Sequence, residues 1–504
     1  MPRVSRLALP LTAAALLTAL AGCTVGPNYT KPEIKTPDAF ASLDNMAGTG
    51  VTSSATSVAP GALSYWWRSL GDEQLASLID RAVANNLDLK LAEARLREAR
   101  ALRGVSESAL YPSVDTTGSA ERRRNSENNG QPGSSGTRNS FRAGVDASWE
   151  LDIFGGIRRD VEASRADLDA SAEDKQAILV SLVAEVASNY VQLRAAQQRQ
   201  LVSDNAITTQ SETVDLTRSR LDAGLAAELE VAQAQALLAT RRSQRPPLMT
   251  SERAAMYRLG VLLGQNPSAL VQELAPKSTI PKLTGDIAVG IPSDLLRRRP
   301  DIRRAERRIA ASSARIGVAT ADLFPRFSLT GDFGFQSDKV EDLFDASSRT
   351  WGFGPSVRWN IFDAGRIRRL IDAASEREKQ SLITYEQTIL TSLEDVENAL
   401  VRLSNEQMRN RALIEAVDAN KRAVALADER YRSGVGDFLN VLESQRQLYD
   451  AADEVVLSEA QVTDAVISLY RALGGGWAEP QPNPPQYEAP SAQTTPTTAS
   501  QSAQ

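Results

Sequence analysis

Few groups in this 504-residue chain could do chemistry: there is one cysteine, Cys23, and no histidine. The commonest general base and the commonest metal ligand are therefore missing, and a thiolate can come from one position alone. The sequence carries no phosphate-binding loop and no Gly-x-Ser-x-Gly elbow. What remains is carboxylate and guanidinium. One constellation of these stands out: Leu439, Glu443 and Arg446, spaced i, i+4 and i+7, fall on one face of a helix. Such a trio performs no reaction. It is either an ion pair on a coiled-coil surface or, if several copies face a common axis, a charged and apolar constriction. No enzymatic activity, metal site or cofactor is expected.

The lone thiol has its own setting. Arg3 and Arg6 precede an apolar stretch over residues 7–20, too short to stay in a bilayer as a spanning helix. The stretch closes on Leu20-Ala21-Gly22-Cys23, and residues 1–22 resemble a bacterial lipoprotein signal peptide. That resemblance implies that Cys23 carries a diacylglyceryl group and palmitate and becomes the mature N-terminus. Thr24, where an aspartate would signal retention, implies sorting to the outer membrane. The formal net charge of −6 becomes more negative once Arg3 and Arg6 are removed, so no nucleic-acid partner is expected. Arg297-Arg298-Arg299 with Arg303, Arg304, Arg307 and Arg308 flanks Pro300-Asp301, a helix start, and reads as a solvated helix face.

The elements that position these residues occur twice. Asp88, Ala92-Glu93, Gly104-Val105, Leu110-Tyr111-Pro112 and Thr117-Gly118 return as Asp301, Ala305-Glu306, Gly317-Val318, Leu323-Phe324-Pro325 and Thr330-Gly331, each 213 positions later. Arg220, Gly224, Val231 and Gln235 answer Arg430, Gly434, Val441 and Gln445 at 210, and Tyr257-Arg258 answers Tyr470-Arg471 at 213. A period this long is a duplicated half-molecule rather than a solenoid unit.

Each half begins with strands. Phe141, Ala143, Val145, Ala147, Trp149 and Leu151 alternate with polar residues, as do Phe327, Leu329, Phe333 and Phe335, and then Trp351, Phe353, Val357, Trp359 and Ile361. Strands are expected at about 113–124, 140–153, 325–336 and 350–361. Period-two alternation over 9 to 11 residues with terminal aromatics fits transmembrane β-strands, although a half-buried soluble sheet would alternate too. The Gly/Ser/Asn-rich loops at 125–138 and 337–349 favour the membrane. Four strands cannot close a barrel, and an open sheet in lipid leaves unpaired edges, so the chain must oligomerise.

Each half continues into a long helix, from Gly156 to about Ala223 and from Gly365 to about Ser433, free of proline and of internal glycine. Leu179, Val183, Val186, Tyr190 and Leu193 are matched 210 later by Ile389, Leu393, Val396, Leu400 and Leu403, a coiled-coil seam. Gly224 and Gly434 turn the chain into returning helices, giving hairpins at about 156–264 and 365–473. Pro246-Pro247 is expected to break the first return. Residues 31–61 read as an extended linker, the stretches 63–86 and 265–300 as a mixed belt, and 478–504 as a disordered tail.

Lipidated cysteine, strand pair, long helical hairpin, and both again: the chain resembles outer-membrane factors of the TolC/OprM class, in their lipoprotein (NodT-like) branch, over about residues 23–477. The resemblance implies a mainly α fold with a transmembrane β part. It is a homotrimer whose twelve-stranded β-barrel, four strands per chain, continues into an α-helical coiled-coil barrel across the periplasm. It implies residues 63–264 and 265–477 as the two repeats behind the anchor segment 23–62. It implies a passive exit duct for small molecules, docked to a periplasmic adaptor (membrane fusion protein) and an inner-membrane RND pump. The tips Arg220, Gly224, Leu225 and Arg430, Gly434, Val435 would meet the adaptor, or serve only as hairpin caps. Leu439 and Glu443, with Arg446 as latch, would form the channel gate. An outlet for type I protein secretion, a stand-alone porin and a poreless envelope coiled coil are the rival readings.

Overall fold

The computed structural model describes residues 24–45, 51–53, 63–126, 136–284 and 287–477. The signal segment, Cys23, most of the loop at 125–138 and the tail at 478–504 lie outside the described residues. Helices α1 (Glu73–Asn85) and α2 (Leu87–Ser108) lead into strands β2 (Ser113–Asn125) and β3 (Gly136–Leu151), then α3 (Gly156–Asp222) and α4 (Glu228–Leu262). The second half repeats this as α5 (Pro300–Ala321), β5 (Arg326–Ser337), β6 (Arg349–Arg358), α6 (Arg366–Arg432) and α7 (Phe438–Ala472). Two short strands, β1 (Val51–Ser53) and β4 (Ile287–Val289), pair in parallel within the belt.

The duplication is exact in the lengths of the paired helices. The paired helices have 22, 67 and 35 residues in each half. Sixty-seven residues at 1.5 Å each make about 100 Å of helix. Both long helices start at a positive-φ glycine, Gly155 or Gly365. Both also receive an aspartate on their free N–H groups: Asp152 accepts from Ile157 and Arg158, and Asp363 from Ile367. Such caps satisfy donors that have no partner inside the helix.

The four long strands form one antiparallel sheet in the order β2-β3-β5-β6. Register puts Val145 opposite Phe333 and Phe333 opposite Trp351, and Trp149 opposite Leu329. This face is bare in the single chain: Phe353 is 82% exposed and Trp351 69%. The opposite face aligns Asp115, Asp146 and Asp332 in one row, with the Thr117 hydroxyl donating to Asp146. At the sheet's lower rim two indoles hold the ends of the preceding helices. Trp149 Nε1 donates to Leu110 O at 2.9 Å, and Trp359 Nε1 to Leu323 O at 3.0 Å. The last strand stops at Arg358, so Trp359 and Ile361 are corner residues rather than strand residues as the alternation suggested.

Two other expectations need correction. The first return helix is not broken: α4 runs through Pro246 and Pro247. Proline in a helix interior costs about 3 kcal/mol, but α4 is held on both sides of the pair. Leu238 and Leu248 are buried, and buried Arg241 pairs with Asp450 of α7 at 2.8 Å. The Tyr257-Arg258 and Tyr470-Arg471 pairs are not equivalent either. Both return helices end at positive-φ glycines, Gly264 and Gly474, and these lie 210 positions apart rather than 213. Tyr257 is exposed while Tyr470 is buried.

The segment before the belt, read as an extended linker, does run extended over 31–37, and it is strapped down on the helices. Val25 N donates to Phe154 O, and buried Arg159 donates to Val25 O and to Asn28 Oδ1. Tyr29 and Lys31 both engage Glu306, and the backbone N–H groups of Ala41 and Ser42 donate to Glu397. Phe40 is buried in the same core as Trp66, Tyr190 and Tyr470. That core sits at the level of the belt, which is bonded to α3 through Tyr190 to Asp72, Arg194 to Pro276 O and Gln197 to Leu274 O.

The strap needs bare backbone where it crosses the helices. A Cβ on Gly317 would come within 2.8 Å of the Arg159 side chain. Gly317→Val should therefore push Arg159 and the strap outward at a cost of about 1–3 kcal/mol, typical of overpacking. Limited trypsin digestion should then cut at Lys35 several-fold faster; unchanged cutting would show that the strap does not depend on this crossing.

Candidate channel gate and hairpin tips

Both hairpins turn by the same backbone device. Leu225 N donates to Arg220 O and Gly224 N to Leu221 O; Val435 N donates to Arg430 O and Gly434 N to Tyr431 O. This double bond around a positive-φ glycine closes the last carbonyls of a helix. It leaves four apolar side chains facing outward: Leu225, Leu229, Val435 and Leu439, each between 56% and 69% exposed. The cap explains the glycines. It does not account for four exposed aliphatics at the end of the molecule.

The second turn carries the polar differences. Asp437 caps α7 by accepting from Leu439 N at 3.0 Å. Leu439, Glu443 and Arg446 then follow on one face, as their spacing required. Arg446 grips Glu443 with two hydrogen bonds of 3.0 and 2.8 Å, and Gln447 adds a third at 2.8 Å. Hydrogen bonding from Arg446, then Gln447, holds the Glu443 carboxyl below the ordinary glutamate range. The carboxylate is thus charged, oriented and open to solvent beside an exposed leucine.

Tyr431 was not singled out from sequence, yet it ties the two hairpins together. Its hydroxyl donates to Glu230 of α4 at 2.7 Å, and its ring packs on Phe438 with centroids 5.1 Å apart. The Arg220 guanidinium lies 4.6 Å over the same ring. Arg220 thus reaches across to the other hairpin, while Arg430 is exposed. Burial first, and then the bond to Glu230, push the Tyr431 phenol up to about 12. Around it Val214, Ala234, Leu238, Val441 and Leu442 form a small second core. A signal was available: Leu221 stands where Tyr431 does in the other repeat, 210 positions earlier, the same kind of difference that marks Gln233 against Glu443.

Further up, polar ties join the hairpins at intervals. Arg241 binds Asp450, and Arg199 binds Asp453 through two bonds of 2.7 and 2.8 Å. Asp464 takes Ser188 at 2.7 Å and Arg402 at 3.2 Å. Among the described residues no cluster of carboxylates could hold a metal ion, and no helix is long and apolar enough to cross a membrane; the exposed sheet is the part with an apolar face.

Comparison with known proteins bears on this arrangement. The family model "Outer membrane efflux protein" matches residues 78–265 and 291–475. Nodulation protein T of Rhizobium leguminosarum bv. trifolii is 32% identical over 91% of this chain and 95% of its own length. The solvent efflux pump outer membrane protein SrpC of Pseudomonas putida is 30% identical over 92% of this chain and 98% of its own. Among solved structures, the outer-membrane channel OprN superposes with a TM-score of 0.82 at 38% identity, covering 91% of this chain and all of that one.

The Tyr431 bridge can be tested without disturbing its ring. Tyr431→Phe removes one buried bond to a charged acceptor, worth about 1.5–3 kcal/mol, and keeps the contacts with Phe438 and Arg220. Amide hydrogen exchange at 425–442 should rise at least tenfold, with the belt unchanged; equal protection in the variant would mean that the hydroxyl ties nothing.

Proposed function

The chain belongs to the outer membrane efflux protein family, and from that premise we propose how it works as a passive exit duct for small molecules in a tripartite efflux pump. The observation that carries the reading is the four-stranded sheet with an exposed apolar face and two outer strands each unpaired along one edge. In hydrocarbon each unpaired backbone group costs several kcal/mol, so the sheet has to close with copies of itself. Two copies would give eight strands, whose interior is filled by side chains; three give twelve and leave a passage. The row of Asp115, Asp146 and Asp332 then lines that passage while Trp351 and Phe353 face lipid.

The long helices extend the passage into the periplasm, where the exposed tips meet the periplasmic adaptor of an inner-membrane RND pump. Leu225, Val435, Gly224 and Gly434, with Arg430, supply that contact surface; Arg220 serves it indirectly by fixing Tyr431. Cys23 anchors the chain by its lipid. Support for this comes from Thr24, which packs on Gly155 at the junction of sheet and helix, the level at which a lipid chain would enter the membrane.

Leu439 and Glu443 form the gate, with Arg446 holding the carboxylate in place. Three leucines facing one axis exclude water, and three carboxylates attract cations while repelling one another. Opening requires the hairpins to part, which breaks the Tyr431 bridge, and the energy for it comes from differential contacts with the adaptor and pump. No group on this path makes or breaks a covalent bond.

Single-channel conductance in planar bilayers tests the gate. The wild type should pass a small, mostly closed current that grows several-fold in Leu439→Ala and in Glu443→Ala; a large current indifferent to both changes would make the protein an open porin.

The pH dependence follows from the lowered Glu443 carboxyl. The pair with Arg446 is intact above the unfolded glutamate value of about 4.3 and is lost as pH falls through the lower folded value. Wild-type current should therefore stay level from pH 8 to about 5 and change only below about 4, whereas Glu443→Gln should show no such step; a step near pH 6 would exclude Glu443 as its source.

A further inference from the structure

The arginine cluster around Pro300 is not the solvated helix face that its composition suggested. Arg304 pairs with Asp174 and Arg299 with Asp301 and Asp395, stitching α5 between α3 and α6. Further along α5, Arg315 pairs with Asp167 of α3. These contacts join the two halves of the chain, and the sheet makes the same junction where β3 pairs with β5. At the corner below it the rings of Phe154 and Phe324 stack, with centroids 4.6 Å apart.

The halves correspond in their contacts too. Trp149 holds Leu110 O, and Trp359 holds Leu323 O in the same way. Residues of β3 and α3 therefore have counterparts 210 positions later, and residues of β5 and α5 have theirs 213 positions earlier. Carried over from the internal junction, this correspondence leads to surfaces that are bare. Val180 is 7% exposed, but its counterpart Leu390 is 67% exposed. The counterpart of Phe324 is Tyr111, and those of Arg304 and Arg315 are Leu91 and Leu102, all three exposed. Whereas α5 lies between α3 and α6, its counterpart α2 packs against α3 and leaves its other side open.

A second copy of the chain fits this surface. The outer strands of the sheet are β6 at one edge and β2 at the other, the counterparts of β3 and β5. The edges that close the ring are thus the same two kinds of strand as the internal junction, and a head-to-tail contact of this type repeats until the ring closes. The register follows. Ala143 stands opposite Phe335, so Phe353 stands opposite Arg122 of the next copy. The faces agree, as a correct register requires. Phe353 shares a face with Trp351, and Arg122 with Thr116, which lies opposite Val145 on that same apolar face. Directly opposed side chains are within reach of one another, and a guanidinium is drawn to the face of an aromatic ring.

We propose that β6 of one copy pairs with β2 of the next in the register of β3 with β5, laying Arg122 on the Phe353 ring, and that α6 covers the leucine face of α2. By the same correspondence, Leu91 meets Thr384 and Leu102 meets Arg377 where the internal junction has Arg304 with Asp174 and Arg315 with Asp167. The junction between copies thus carries leucine where the junction within a copy carries arginine. The assignment rests on closure of the sheet by copies of the chain, and on neither the gate nor the adaptor contacts.

Cysteine pairs in the full-length protein, purified in detergent and oxidised, read the register directly. Phe353→Cys/Arg122→Cys should give covalent dimers and trimers on a non-reducing denaturing gel, and neither single variant should. Ala143→Cys/Phe335→Cys, at the internal junction, is the positive control: it should lose both thiols and give no larger species. No covalent oligomer from a trimeric double variant, or an equal or greater yield from Phe353→Cys/Ala120→Cys, would overturn the register. Leu91→Cys/Thr384→Cys, treated with a short bismaleimide, should link copies through the helices without touching the sheet; monomers alone would overturn the helix pairing. Arg122→Gln should let the trimer dissociate several degrees below wild type, and Arg123→Gln, on the opposite face, should not; equal effects would overturn the contact with Phe353. A wild type that is monomeric in detergent would overturn the closure reading, and this proposal with it.

Discussion

Backbone groups at the edge of a sheet must be paired wherever water is absent, and that constraint shapes everything else in this molecule. Four strands with a bare aromatic face are stable only inside a closed ring, so one chain cannot be the working unit. Closure fixes the number of copies, the copies fix an axis, and the axis decides which helix faces line a passage. The helices inherit this geometry through two short corners. Each is held by an aspartate on the helix N-terminus and by a tryptophan that reaches back to the preceding helix.

Below the corners the work passes from backbone to side chains. The coiled-coil seam is apolar at the belt, where Val183, Val186, Tyr190, Leu193, Val396 and Leu400 are fully buried, and it turns polar below the belt before closing on the small second core around Tyr431. In the polar stretch the hairpins are joined by discrete charged contacts such as Arg199 with Asp453 and Arg241 with Asp450. Isolated ion pairs at partly exposed positions contribute little, about 0–1 kcal/mol each. A seam built this way is firm at the belt and more lightly fastened between the belt and the tip core.

Much of this was legible in the sequence because it depends on local rules. Duplication, alternation, proline-free helices and tip glycines all announce themselves through spacing. The trio Leu439, Glu443 and Arg446 was legible too, because helical periodicity fixes which residues share a face. What escaped depends on tertiary partners. Pro246-Pro247 reads as a break until buried Arg241 and Leu248 are seen holding the helix on either side. The arginines near Pro300 read as solvated until Asp174 and Asp395 arrive from helices more than 90 residues away in sequence. The strap at 24–45 carries no periodic pattern, since its bonds are made by backbone N–H and C=O groups to Arg159 and Glu397. Tyr431 escaped because its partner Glu230 lies 201 positions away.

The equal lengths of the paired helices have an evolutionary consequence. Both tips must end in the same plane if a ring of alternating hairpins is to meet a flat-rimmed partner, and each residue added to one long helix would shift its tip by about 1.5 Å and turn it by about 100°. An insertion in one repeat is therefore tolerable only with a matching insertion in the other, and then in whole heptads that keep the facing. Point substitutions face no such coupling. The two copies of the ancestral gene are bound together in length while remaining free in charge, and Leu221 with Gln233 against Tyr431 with Glu443 is what that freedom has produced.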